Sequence, residues 1–263
     1  MTSPDTPDDD VRARARAWRD GAHAAVCDVI EPWAHGTVVR ATRHPSYFDF
    51  NVVRVEEDPA MGVEELIAFA DEALAGLAHR RVDIDLIDVA ESLRPGLEAQ
   101  GWKAIRLVWM RHEAPPPPGP AIAVAEVPYD DVHGLRVAWH DSHSDGEETS
   151  AYHAQAREVA LSRGVRVLAV HEDGAPVAFA QLEHDGAAAE ITQVYVDPRH
   201  RGGGMGTAMT RAGIAAAGDV RDLWIVADDE DRPKELYGRL GFRAVWTSMQ
   251  LTRWPVTANP PPA

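Results

Sequence analysis

The chain has 263 residues, of which 45% are hydrophobic, and this length suggests two globular domains. Its 26 lysine and arginine residues stand against 42 aspartate and glutamate residues, which gives a formal net charge of −16. Such an acidic surface repels nucleic acid and anionic membranes, and no apolar run approaches the roughly 18 residues of a membrane span, so we expect a cytoplasmic protein with neither partner.

The first half of the chain is predicted to mix helices and strands. An acidic tail, residues 1–10, is predicted to be disordered. Asp10 to Ile30 then has helical spacing, with Trp18 on its apolar side. The pattern continues with strands at 37–41 and 48–55, a helix at 62–77, a strand at 82–87, a helix at 91–100 and a strand at 103–111.

A proline-rich run, residues 114–120, is the clearest boundary in the chain. Such a run favours extended polyproline geometry and acts as a semi-rigid spacer. It separates a predicted domain at 11–113 from a second at 121–254, and residues 255–263 are predicted to form a second disordered tail.

The second half has a similar order of elements. Helices are predicted at 135–139 and 152–162, with a polar loop between them. Further along are strands at 165–171, 176–183 and 189–196, a helix after the third of these, a strand at 223–226, a helix at 233–240 and a last strand at 244–252.

A glycine turn, Arg201-Gly-Gly-Gly-Met-Gly206, lies between the strand at 189–196 and the following helix. Its glycines let the backbone turn tightly, and the helix presents unpaired N–H groups and the positive end of its dipole. The turn therefore predicts a phosphate or pyrophosphate site, with charge from Arg199 and Arg201 at its rim. It lacks the lysine of a P-loop and the glycine spacing of a dinucleotide-binding fold.

A second motif follows the strand at 223–226. The segment Leu236-Tyr237-Gly-Arg-Leu-Gly241-Phe242 reads as the end of a helix that Gly241 terminates. Together with the glycine turn, it resembles the acetyl-CoA signature of the GNAT acyltransferases over about residues 127–252. The resemblance implies an α/β fold of the α+β kind, with two GNAT-like domains that each have a mixed sheet flanked by helices.

The resemblance also implies a set of cofactor contacts, with acetyl-CoA as cosubstrate and no metal. The backbone of Val194 and Val196 is expected to pair with the pantetheine arm. Glu230 stands where the family has an asparagine, so its contact with the cofactor departs from the family pattern. The remaining implied contacts are those of the turn and the helix start: Arg201, Gly202, Gly203, Gly204, Met205, Gly206 and Thr207.

Two residues are candidates for proton transfer. Tyr237 is expected to return a proton to the CoA sulfur, and Glu190 to take the proton of the amine, with Glu183 as the alternative base. Alternation along the strand places Glu190, Thr192, Val194 and Val196 on one face. A buried carboxylate at Glu190 is expected to have a raised pKa.

The two halves share landmarks that indicate a duplicated unit. Asp58-Pro59 and Asp197-Pro198 are 139 residues apart, and Gly101-Trp102 and Gly241-Phe242 are 140 apart. The first copy has Ala60-Met-Gly-Val-Glu-Glu65 in place of the glycine turn, and Leu97 in place of Tyr237. We therefore expect a degenerate N-terminal copy, a layout similar to tandem acyltransferases that include mycothiol synthases.

The acceptor is expected to be a small cationic metabolite or an antibiotic-like amine. The basis is the net charge and an acidic loop that contains His143, Asp145, Glu147 and Glu148. This loop and its neighbouring histidines have no common zinc spacing. Acetylation of a protein N-terminus or lysine is the alternative activity, and a non-catalytic acyl-CoA sensor or scaffold is the alternative class. The protein is expected to be a monomer or a homodimer.

Overall fold

The computed structural model describes residues 7–141 and 149–254. These fall into two compact units that we describe separately. Unit 1 contains residues 7–20, 107–141 and 157–246, and unit 2 contains residues 21–106, 149–156 and 247–254. Within these ranges no helix is both long enough and apolar enough to cross a membrane.

The predicted helices and strands are present, with two short strands added. The first half contains α1 (Pro7–Val26), β1 (Val29–Trp33), β2 (Gly36–Arg40), a 3-10 turn (Phe48–Phe50), β3 (Asn51–Val55), α2 (Val63–Ala73), β4 (Arg80–Ile84), α3 (Ile87–Ala99) and β5 (Lys103–His112). The second half contains β6 (Ala125–Val127), α4 (Tyr129–Asp141), α5 (Ser150–Ser162), β7 (Arg166–Glu172), β8 (Ala175–His184), β9 (Ala188–Val196), α6 (Met205–Ala217), β10 (Asp222–Asp228), α7 (Pro233–Arg239) and β11 (Phe242–Arg253). The sequence pattern missed β1 and β6, and α1 begins within the tail predicted at 1–10.

Unit 2 is built on a sheet with the strand order β1-β2-β3-β4-β11. Neighbouring strands are antiparallel, except that β3 runs parallel to β4. Every residue of β3 is buried, as expected for a strand covered on both faces. Helices α2 and α3 supply Leu66 and Leu97 to the apolar core of this unit.

Unit 1 is built on a sheet with the strand order β6-β7-β8-β9-β10-β5. Neighbouring strands are antiparallel, except that β9 runs parallel to β10. One face of the sheet packs with α6 and α7 around Met209 and Phe242. The other face packs with α4 around Tyr129 and with α1 around Trp18.

The last strand of each half of the sequence completes the sheet that the other half begins. Strand β5 comes from the first half but lies beside β10, and β11 comes from the second half but lies beside β4. The compact units therefore do not coincide with the halves of the sequence. The predicted division into domains at 11–113 and 121–254 rests on a repeated sequence pattern and not on compactness, so it stays a prediction.

Gly241 is the position in unit 1 where an added methyl group is most costly. Its φ is +95°, and a Cβ atom there would lie 1.9 Å from the carbonyl oxygen of Ala114. We expect Gly241→Ala to lower the free energy of unfolding by about 2–4 kcal/mol, because strained backbone and a backbone collision add. Urea denaturation measures this loss.

Gly164→Ala is the matched control for that variant. Gly164 also has a positive φ, +64°, but a Cβ there would meet no atom within 4 Å. Its substitution should cost only the conformational strain, about 1 kcal/mol. If the two variants lost the same free energy of unfolding, the collision with the Ala114 carbonyl would contribute nothing to the cost of Gly241→Ala.

Candidate functional site

The glycine turn joins β9 to α6, and its backbone is shaped to hold an anion. Gly202 and Gly204 have φ angles of +87° and +86°, a region that favours glycine. The amide of Ala208 donates to the Gly204 carbonyl, which is the first hydrogen bond of the helix. The amides of residues 205–207 precede that bond and have no acceptor within the helix. They face the turn together with the positive end of the helix dipole, an arrangement that suits a phosphate.

The outer side of the turn is open, whereas its inner side is closely packed. A Cβ atom at Gly202 or Gly203 would meet no atom within 4 Å. A Cβ atom at Gly204 would lie 2.9 Å from Cγ of Pro120, in the proline-rich run. Only glycine fits at this last position, and the open side leaves room for a ligand.

The two arginines at the rim differ in their availability. Arg199 pairs with Asp197 at 2.7 Å between Nη2 and Oδ2, and hydrogen bonds from Arg199 hold the pKa of Asp197 far below its usual value. Arg201 donates from Nε to the Val196 carbonyl at 3.0 Å. Because Arg201 is exposed, its other N–H groups remain accessible to a phosphate.

An opening forms where β9 and β10 separate. These parallel strands pair from Ala188 to Ile191, with 222–225 on β10, although both strands continue further. Beyond this point β10 pairs only with β5, on its other side. The edge of β9 over residues 192–196 can therefore pair with an extended ligand.

A β-bulge at Gln193 lies on the same stretch of β9. The φ of Gln193 is +52°, and the register between β8 and β9 shifts between Phe179 and Gln181, so that one residue of β8 opposes two of β9. Arg136 of α4 donates from Nε to the side-chain oxygen of Gln193 at 2.7 Å. Amides at Gln193 and Val194 fall outside the regular ladder and can donate to charge that develops on a carbonyl oxygen.

The bulge overturns the side-chain alternation predicted for β9. Glu190, Thr192, Val194 and Val196 were expected to share a face. Val194 and Val196 instead pack with Ile191 in the apolar cluster beneath α6. The extra residue of the bulge shifts the alternation by one position, so Glu190 lies on the opposite face, towards α1.

Tyr237 lies in α7 and belongs to the same apolar cluster as Val194 and Val196. No hydrogen bond from its hydroxyl is present within the described part of the chain, and burial raises the pKa of Tyr237 to about 12. Cδ2 of the adjacent Leu236 lies 3.4 Å from the place of a Cβ atom on Gly206, so α7 adjoins the start of α6. The phenol stays protonated near neutral pH and can serve as an acid.

Glu190 lies opposite Glu183 on neighbouring antiparallel strands. Burial, followed by repulsion from Glu183, raises the pKa of Glu190 to about 8. Glu183 forms an ion pair with Arg163, at 2.5 Å between Oε2 and Nη1, whereas Glu190 accepts a hydrogen bond from Trp18. The raised pKa of Glu190 suits a base that takes up a proton near neutral pH.

The other predicted contacts are only partly described. Thr207 lies in the first turn of α6, and Glu230 is exposed in the loop after β10. The four residues predicted to contact the acceptor lie outside the described residues: His143, Asp145, Glu147 and Glu148. Their roles stay predictions.

The turn before α2, predicted to be the counterpart of the glycine turn, has a carboxylate of its own at the start of its helix. Glu65 of α2 accepts a hydrogen bond from the amide of Gly62 at 2.8 Å, which is one half of a capping box. A carboxylate thus occupies the helix start where a phosphate would bind. This geometry agrees with the prediction that the first copy has lost its anion site.

Sequence reasoning missed three residues that support the site. Trp18 was assigned only to an apolar helix face, and neither Arg163 nor Arg136 was singled out. Their partners are distant in sequence, at Glu190, Glu183 and Gln193. A single sequence has no local signal for such pairs.

Comparison with known proteins agrees with this geometry. Residues 163–244 match the family model of the acetyltransferase (GNAT) domain. A conserved protein of unknown function from Staphylococcus epidermidis has a similar structure, with a TM-score of 0.65 and 13% identity over 88% of this chain and 95% of that one. A search of curated proteins gave no match.

Two further solved structures are similar over most of the chain. A GCN5-related N-acetyltransferase from Kribbella flavida has a TM-score of 0.56 and 18% identity, covering 92% of this chain and 95% of its own. A tandem GNAT protein from the clavulanic acid biosynthesis pathway has a TM-score of 0.50 and 15% identity, covering 85% and 79%. At these identities the likeness shows the fold, and the predicted fold class is confirmed.

Proposed function

We propose that the protein is an acyl-CoA-dependent N-acyltransferase, because residues 163–244 match the acetyltransferase (GNAT) domain model. The acetyl group of acetyl-CoA passes directly to a primary amine, without a covalent enzyme intermediate. The observation that carries the proposal is the sequence of features along β9, namely the open strand edge, the bulge at Gln193 and the glycine turn. They suit, in order, a pantetheine arm, a thioester carbonyl and a pyrophosphate.

The residues on the two faces of the sheet divide the proton transfers between them. Glu190 takes a proton from the amine, directly or through water, as the amine nitrogen bonds to the thioester carbon. Amides at the bulge of β9 stabilise the negative charge on the carbonyl oxygen. The carbon–sulfur bond then breaks, and Tyr237 gives its proton to the departing thiolate. The opening between β9 and β10 is where these groups can reach one substrate.

A small cationic amine is the proposed class of acceptor. The net charge of −16 favours a cationic acceptor. Acetylation of a protein N-terminus or lysine is the second candidate. A turnover screen over small amines and peptides, with released CoA as the signal, separates the two. Binding of acetyl-CoA with no CoA release from any amine would instead indicate a sensor or scaffold.

We expect acetyl-CoA to raise the melting temperature, whereas NAD and ATP should not. At about 100 times its dissociation constant a ligand adds roughly 2.7 kcal/mol to the free energy of unfolding. Gly204→Ala should weaken acetyl-CoA binding at least about tenfold, because the new Cβ meets Pro120 and strains a left-handed backbone in the turn. Thermal shift with titrated ligand measures both effects.

Gly218→Ala is the control for this measurement. Gly218 ends the same helix, has a φ of +66° and would place its Cβ in open space. Its variant should lose stability but keep its affinity for acetyl-CoA. A shift with NAD or ATP and none with acetyl-CoA would reject the assignment.

A further inference from the structure

Helix α1 is held against the sheet of unit 1, although in sequence it lies far from the segment that matches the GNAT model, residues 163–244, here called the GNAT segment. Arg14 donates from Nε to Asp222 at 2.8 Å, and Asp222 is buried at the start of β10. The guanidinium of Arg19 lies 5.0 Å from the ring centroid of Trp246. These contacts fix both the position and the rotation of α1 on this face.

Trp18 follows Arg14 by four residues and therefore shares its face of the helix. Its ring packs in an aromatic cluster with Trp109, Trp224 and Trp246. Its Nε1 donates a hydrogen bond to Oε2 of Glu190 at 2.6 Å. No partner of Oε1 is present within residues 7–141 and 149–254, which leaves that oxygen for a ligand.

The surroundings of Glu190 contain few charged groups. Glu183 faces it from β8, and Arg163, just after α5, pairs with Glu183. Trp224 lies beside it on β10 and is uncharged, and Asp222 on the same strand is neutralised by Arg14. From α1, the contact is the Trp18 indole. Trp18 is thus the group that donates a hydrogen bond to the Glu190 carboxylate.

We infer that Trp18 is a positioning residue of the transfer site, which holds Oε2 of Glu190 and directs Oε1 towards the acceptor amine. The inference rests on the proposed function. It extends the site beyond the GNAT segment, because a residue near the start of the chain then orients a base on β9. An N–H donor stabilises the ionised form of the carboxylate, whereas Glu183 destabilises it.

The test replaces the N–H group and follows the ionisation of Glu190. Trp18→Phe should move the rising limb of the kcat profile to higher pH by about one unit, so that kcat at neutral pH falls about tenfold. Glu183→Gln should move the limb to lower pH. Phenylalanine at this position could also disturb packing. Incorporation of benzothienylalanine at Trp18 removes the N–H group but keeps the ring shape, so it should produce the same shift. Trp109→Phe, from the same cluster, is the control and should leave the limb in place.

Carbon-13 NMR titration of the Glu190 carboxyl in the free protein separates the two proposals. If removal of the indole N–H leaves this titration unchanged, the role of Trp18 is wrong, whatever the fate of the proposed function. If the NMR titration shifts but the kinetic limb does not, Glu190 is not the base, and Trp18 then has no role in the reaction. Parallel shifts in both measurements support the inference.

Discussion

Replacement of Tyr237 by phenylalanine is expected to lower kcat by about 10²–10³-fold and to leave acetyl-CoA binding unchanged. The substitution removes only the hydroxyl, so the packing of the ring against Phe242 is kept. Because burial raises the pKa of Tyr237 to about 12, the wild-type phenol stays protonated at every practical assay pH. Single-turnover kinetics and calorimetry with acetyl-CoA measure the two quantities.

Tyr195→Phe is the matched control for this variant. Tyr195 lies on β9 near the same opening, but its ring stacks on Trp139, on the face away from α6. Loss of its hydroxyl should change kcat by less than about threefold. If the Tyr237 variant retained wild-type turnover, another group would have to protonate the thiolate.

Glu190→Gln is expected to lower kcat by about 10²-fold at pH 8.5 and to remove the rising limb of the pH profile. The carboxylate of Glu190 is active as a base only when ionised, and its pKa is about 8. Wild-type activity should therefore rise with pH through that value. Glu172→Gln, at the exposed end of β7, is the control and should keep the limb. An unchanged limb in the Glu190 variant would leave Glu183 as the base.

The same pKa predicts how stability depends on pH. The pKa of Glu190 in the folded protein lies above its ordinary value of 4.5, so the folded state binds the proton more tightly than the unfolded state. The resulting stabilisation is complete below about pH 4.5 and is lost as the pH rises through about 8. Glutamine does not ionise, so Glu190→Gln should gain stability relative to wild type between pH 6 and pH 9. Because the Glu190 side chain is partly exposed to solvent, we expect the free energy of unfolding to rise by an amount on the order of 1–3 kcal/mol. Urea denaturation at pH 6 and at pH 9 measures this gain.

The candidate anion site could be predicted from sequence because its parts are adjacent in the chain. A strand, Arg201–Gly206 and a helix of small residues form one continuous segment whose chemistry is backbone chemistry. Tyr237 was predicted in the same way, from its fixed distance to Gly241 and Phe242. In the glycine turn and at the end of α7, the residue types directly indicate the local backbone conformation.

The bulge and the orientation of Glu190 could not be predicted in this way. Gln193 adopts a positive φ although it is not glycine, a conformation that tertiary contacts, including the one from Arg136, must stabilise. The strand pattern alone predicts regular alternation, which placed Val194 and Val196 on the wrong face. The contact between Trp18 and Glu190 joins residues 172 positions apart. Periodicity showed that Trp18 lies on an apolar face but not what its N–H group binds.

The exchanged strands were also beyond the reach of pattern analysis. Both β5 and β11 follow equivalent helices and have similar apolar content, so either could complete either sheet. Pairing is decided by the whole fold, since strand register depends on neighbours and not on composition alone.

Strand exchange also couples folding to the order of protein synthesis. Strand β4 is made early, but its neighbour β11 ends at Arg253. At a translation rate of about 5–20 residues per second, the edge of β4 waits roughly ten seconds or more for its partner. An unpaired strand edge is prone to pair with other chains during that interval. The sheet of unit 2 therefore cannot be completed until β11 has followed the first half of the sequence out of the ribosome.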